Sequence, residues 1–187
     1  KLIADTVHDR RVFLAIIAIS IFWAICTILF VQFTPLAKNV LNASKEVASL
    51  FLVIFSVGVA IGSVSINALL KGKVSARFSP ISVIAMGAFL IAFEAICSNW
   101  QSSSTMIDVP TFIAHPLALM LLLSLLGIAI SGGMFVVPLY AFLTTFVEKT
   151  QTARTIAANN IVNSGAMVAG AMFAGLLSLV GMAVVKQ

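Results

Sequence analysis

The sequence predicts an all-α, polytopic transmembrane helix bundle of about five spans, and three observations carry that expectation. Only 9% of the 187 residues are charged while 61% are hydrophobic, against about 25% charged residues in an ordinary soluble domain. The apolar residues gather in five long runs. The basic residues sit in short clusters between those runs, as in Arg10-Arg11 and Lys71-Gly72-Lys73. So few charges do not cover the surface of a water-soluble globule, and lipid is therefore the solvent for most side chains.

Within a bilayer every backbone N–H and C=O must be satisfied internally, so an apolar run of about 20 residues becomes a helix. The first run covers 12–33 and is closed by Thr34-Pro35. The second, 47–70, ends at Lys71-Gly72-Lys73. The third, 80–97, is the shortest, stops at Ser98-Asn99 and carries Glu94 near one end. The fourth, 117–146, and the fifth, 156–185, exceed the length needed to cross the hydrocarbon, so each must tilt, bend or project into water. Ser131-Gly132-Gly133 and Pro138 mark the fourth as the one to bend, because a proline ring removes a helix hydrogen bond.

Orientation follows from Lys and Arg. With the N-terminus inside, the inner segments hold Lys1, Arg10, Arg11, Lys71, Lys73, Arg77, Lys149 and Arg154, and the outer ones hold Lys38, Lys45 and Lys186. Eight against three satisfies the positive-inside bias and places 71–77 and 148–154 in the cytoplasm. The long connection 98–116 then faces outward without a single Lys or Arg, and its Trp100 suits the membrane interface. The net charge of +5 is thus spent on orientation, and nucleic acid is not an expected partner. Cys26 and Cys97 lie in or at the end of apolar runs, where ordinary packing is expected in place of a disulfide. No secretory signal peptide is expected, and a chain starting at Lys1 reads as a fragment or processed product.

Small residues spaced by four let membrane helices approach closely. Gly58/Gly62, Gly127/Ser131, Ala166/Gly170 and Ala171/Gly175 are therefore expected packing seams, and Gly132 and Gly133 are expected to serve close approach beside Pro138. Polar residues inside apolar runs are costly unless they find partners or line a wet cavity. Gln32, Asn67, Glu94, Asn159, Asn160 and Asn163 are of this kind. Asn159 and Asn163 share a helix face about one turn beyond Arg154, so they either tie helices together or line a cavity, where Gln32 and Asn67 are the other candidates. Glu94, the one carboxylate inside an apolar run, is a candidate for ion coupling. There is no metal-ligand spacing, no phosphate-binding glycine loop and no catalytic grouping of Ser, His and Asp, and no cofactor is expected. His8 and His115 fall in opposite flanking regions.

The stretch Gly132-Gly133-Met134-Phe135-Val136-Val137-Pro138-Leu139 resembles a motif of the bacterial lysophospholipid transporter family within the major facilitator superfamily. Ser20-Ile21-Phe22-Trp23 and Ile156-Ala157-Ala158-Asn159-Asn160 extend the resemblance over most of the chain. It departs at Tyr140, where the family pattern has Asn, and Glu94 has no counterpart in it. The resemblance implies that the five spans correspond to helices seven to eleven of a twelve-helix inner-membrane transporter. The twelfth helix and the N-terminal half would then lie outside these 187 residues. It further implies lysophospholipid, chiefly lysophosphatidylethanolamine, as substrate. In some members of the family, acyltransferase and acyl-carrier-protein synthetase domains follow the transporter. The alternatives are a multidrug or metabolite transporter of the same superfamily, or a membrane anchor for a fused acyltransferase.

Overall fold

The computed structural model describes residues 9–101 and 105–179. Lys1, His8, Ser102, Ser103, Ser104 and Lys186, and the end of the fifth expected span, lie outside them. Five helices are long and apolar enough to cross a membrane, so the chain is a multi-pass, all-α membrane protein. In chain order the helices are α1 (Arg10–Pro35), α2 (Lys45–Leu69), α3 (Ser79–Ser98), α4 (Val109–Ala114), α5 (Ala118–Thr145) and α6 (Lys149–Leu179).

Two helix boundaries extend beyond the expected spans. Thr34-Pro35 does not close the first span: α1 includes Pro35 and runs on as a π-helical turn, Leu36–Val40. Proline removes its own N–H but leaves the next ones free. The Leu36 N–H reaches the carbonyls of Gln32 and Phe33, and Leu41 N–H donates five residues back to Leu36 at 3.1 Å. The fifth helix starts at Lys149, well before residue 156, because 149–154 holds neither Gly nor Pro to stop it. The connection 98–116 contains a further short helix, α4. Asp108 caps α4 by accepting from Thr111 N–H at 3.0 Å, and Pro110 occupies its first turn, where a missing N–H is harmless.

Helix α5 is the hub. It is unbroken through Gly132, Gly133 and Pro138, and carries α2 and α3 along much of its length and α1 more lightly. Helix α6 lies chiefly on α1 and touches α5 over a short stretch. The glycines explain the close approaches. A β-carbon at Gly58 would lie 2.5 Å from Cβ of Ala129, and one at Gly62 would run into the Ile130 carbonyl. From the other side, a β-carbon at Gly133 would lie 2.5 Å from the Val59 carbonyl oxygen, so α2 and α5 interlock reciprocally. Gly127 faces the Phe89 ring of α3, Gly132 the Phe22 ring of α1, and Gly170 the Ala24 carbonyl of α1. Gly175 departs from the expected pattern, because its side is open among the described residues.

The end of the bundle that bears α4 is closed by an aromatic ladder. Phe55, Phe30, Phe33, Phe51, Phe112, Trp100 and His115 follow one another with ring centroids 3.9 to 5.9 Å apart. Trp100 is buried between Phe112 and His115. Stacking on those rings covers its large aromatic surface. Backbone bonds hold this cap in place: Ser44 N–H donates to Ile107 and Ile107 N–H to Asn42, both at 2.9 Å.

Candidate functional site

Polar groups among the described residues gather at three places in an otherwise apolar bundle. The first lies between α1, α5 and α6. Ser20 donates to Asn163 Oδ1 at 2.6 Å, Asn163 Nδ2 donates to the Tyr140 hydroxyl at 3.1 Å, and Trp23 Nε1 donates to the same hydroxyl at 3.0 Å. Tyr140 thus accepts from two helices at once, and Ser20 and Asn163 are buried. In lipid such bonds draw helices together because the alternative is an unsatisfied group in hydrocarbon.

Asn159, one turn earlier on the same face, behaves differently. It is 1% exposed, and its Nδ2 lies 3.4 Å from Asn160 Oδ1. Its Oδ1 is buried with no hydrogen-bond partner among the described residues. The two amides expected to act together are therefore divided, Asn163 into an interhelical tie and Asn159 into a buried group with a spare acceptor. Asn160 is exposed, and Arg154 is half-buried near the start of α6.

The second place is a groove of about 460 Å³ between α1 and α3. Both helices lean on α5 without extensive contact with one another, which leaves the space between them open. Its walls are Ile25, Leu29, Phe33, Leu90 and other apolar residues, and Gln32 and Glu94 are its polar members. The structure brings together two residues that the sequence separates by 62 positions. The Glu94 carboxylate is exposed, and Oε1 accepts from the Ser98 hydroxyl at 2.7 Å.

The third is a pocket of about 280 Å³ at the opposite end of the bundle, between α2 and α5. Asn67, Lys73 and Pro138 line it together with Ser63. Asn67 is exposed there, and its carbonyl accepts from Gly72 N–H at 3.2 Å where the chain turns through the left-handed region at Lys71 and Gly72.

The four cavity candidates of the sequence thus do not share a chamber: Gln32 lines the α1–α3 groove, Asn67 the α2–α5 pocket, and Asn159 and Asn163 lie buried against the α1–α5–α6 junction. The residues that sequence reasoning missed are Ser20, Trp23 and Tyr140 as one hydrogen-bonded set. The signal available was Tyr140 itself, a lone tyrosine in the chain, placed on an apolar helix where its hydroxyl needs a partner. Cys26 and Cys97 are both buried and unbridged. No group of three or more His, Cys, Asp or Glu among the described residues is arranged to hold a metal ion. No protein-family model, curated protein or solved structure matches the chain.

Proposed function

We propose that this chain forms part of the C-terminal half of a transporter that moves lysophospholipid across the bacterial inner membrane by alternating access. One observation carries the reading. Two of the stretches on which the family resemblance rests are far apart in the sequence, yet they pack together at one junction. Phe22 packs on Gly132 and Phe135, and beside them Trp23 donates to Tyr140 and Ser20 to Asn163, residues that lie just beyond the second and third stretches. A motif set that merely reflected membrane composition would have no reason to converge.

Transporters of this class rock two halves about a site near the midplane, so each half must move as a unit. The interlocked glycines of α2 and α5 and the hydrogen bonds from α5 to α1 and α6 supply that cohesion. Asn159, with its spare acceptor, is the amide best able to meet a polar head group, whereas Asn163 already uses both ends of its amide. Spans nearly free of charge allow passage of an acyl chain.

Uptake of lysophosphatidylethanolamine by vesicles containing the full-length protein tests the proposal. Saturable uptake that falls in Asn159→Ala at unchanged thermal stability is the expected result. Absence of uptake alongside transport of drugs or small metabolites would move the assignment within the superfamily, and no transport at all would favour an anchor. In the same vesicles, cysteine placed at Lys73 should react only with reagent on the cytoplasmic side and cysteine at Thr105 only with reagent outside.

A further inference from the structure

The pocket between α2 and α5 gathers three polar side chains that no other described residue engages. It opens just beyond Gly62, where the backbones of α2 and α5 touch. Ser63 and Asn67 both line it, since four residues return to the same helix face. Lys73 reaches the same pocket through the turn after α2. There the chain passes through the left-handed region at Lys71 and Gly72, and Gly72 N–H closes on the Asn67 carbonyl at 3.2 Å. The Ser63 hydroxyl, the Asn67 amide and the Lys73 ammonium have no hydrogen bond or ion pair with another described residue. Nor does the end of α2 call on the ammonium: the carbonyls of Ile66, Asn67 and Ala68 accept from the backbone N–H groups of Leu70, Gly72 and Lys71.

Charge fixes the sign of the occupant. Lys71, Lys73 and Arg77 stand together, and the sequence has no Asp or Glu between Glu46 and Glu94. A hydroxyl, an amide and an ammonium can all donate to one anionic group. The walls select a lipid over a soluble anion. Val64 is 72% exposed and Val74 43%, and with Leu70 and Val137 they make the rest of the lining apolar. A volume of about 280 Å³ stands at the lower edge of the roughly 300–1,000 Å³ usual for small-molecule sites, so it takes a head group and leaves acyl chains outside along these walls. We propose that the α2–α5 pocket holds the phosphate of a diacyl anionic phospholipid from the surrounding leaflet, a resident lipid that is bound and not transported. Lys73 supplies the charge and Asn67 and Ser63 the hydrogen bonds, while Lys71 and Arg77 draw the head group in. The site is independent of any cargo. Because the lipid binds only the folded bundle, it stabilises it.

The test titrates the full-length protein in detergent with phosphatidylglycerol, phosphatidylcholine or inorganic phosphate, reading bound lipid by native mass spectrometry and stability by Tm. Phosphatidylglycerol should bind about tenfold more tightly than phosphatidylcholine and raise Tm. Lys73→Gln should weaken that binding about fivefold. Asn67→Ala, which removes no charge, should weaken it about threefold. Lys149→Gln, which removes the same charge from another connection, should leave it unchanged. All three side chains are exposed, so the variants fold, and equal Tm without lipid checks this. No loss in Asn67→Ala, or equal losses in Lys73→Gln and Lys149→Gln, would mean a diffuse attraction of basic segments and overturn the site. Equal binding of the two phospholipids would overturn it as well. Inorganic phosphate that raised Tm as much as phosphatidylglycerol would make the occupant a soluble anion and overturn the lipid assignment.

Discussion

Toward α2, helix α5 offers glycine and small residues so that backbones touch, whereas toward α1 and α6 it offers a tyrosine hydroxyl that gathers hydrogen bonds. On the first side Gly58, Gly62 and Gly133 leave no space for a β-carbon. On the second, Tyr140 holds Trp23 and Asn163 at 3.0 and 3.1 Å. Lipid tails are as apolar as leucine, so burial of leucine does not by itself join helices in a membrane. Close packing and hydrogen bonding are the two remaining means, and the protein uses one on each side of its hub. The seam is intolerant of added volume, and the tie is intolerant of lost partners.

The largest effect should come from adding volume to the seam. Gly62→Leu drives a side chain into the Ile130 backbone, which has nowhere to retreat within a helix, and should cost about 3 kcal/mol or more. Thermal unfolding in detergent reads it as a large fall in Tm, and Gly133→Leu should act in the same direction and reduce uptake. An unchanged Tm in both would mean that the two sides of α5 are not built differently.

Removing partners from the tie should cost less. Tyr140→Phe keeps the ring and deletes the hydroxyl, and interhelical hydrogen bonds in membranes average about 0.6 kcal/mol with a maximum near 1.7. About 1 kcal/mol is expected for the two bonds together. A cycle with Asn163→Ala should show strong non-additivity, since both changes break the same contact. Additive losses would separate the two residues and dissolve the network.

A smaller change of opposite sign sharpens the contrast. Gly165 on α6 has no neighbour within 4 Å of where its β-carbon would lie among the described residues. Gly165→Ala should raise stability by about 0.5 kcal/mol through helix propensity alone. Destabilisation would reveal a close-packed contact on α6 beyond that of Gly170.

The smallest effect lies outside both interfaces, at the α4 cap. The Thr111 hydroxyl and backbone N–H hold the Asp108 carboxyl below its ordinary range. A depressed value in the folded state means that its contribution is present above the unfolded value, about 3.9, and is lost as pH falls through the folded value. Trp100 emission should therefore stay constant down to about pH 4 and shift only below it as α4 loosens. Asp108→Asn should remove the pH dependence while leaving the helix seam and the tie untouched.

Composition and run length alone determined the five spans, because the cost of an unsatisfied backbone in hydrocarbon leaves a long apolar segment no alternative to the helix. The spacing of Gly58 and Gly62 also announced a close approach, since four residues return to the same helix face. Which helix would fill that face was not legible, for the periodicity of one helix carries no information about its neighbour. Tertiary structure decided that α5 stands at the centre and that Pro35 is carried through by a π turn whose carbonyl acceptors lie further back. It also decided that Trp100 turns inward onto Phe112 and His115. The same holds for the polar residues. Asn163 and Asn159 read alike in the sequence, and only the positions of Ser20 and Tyr140, 143 and 23 residues from Asn163, give one a full set of partners. Glu94 acquires Gln32 as a neighbour in one groove because α1 and α3 flank α5 without closing on each other. A helix follows from local backbone chemistry, whereas a site follows from which surfaces meet, and long-range packing alone sets that.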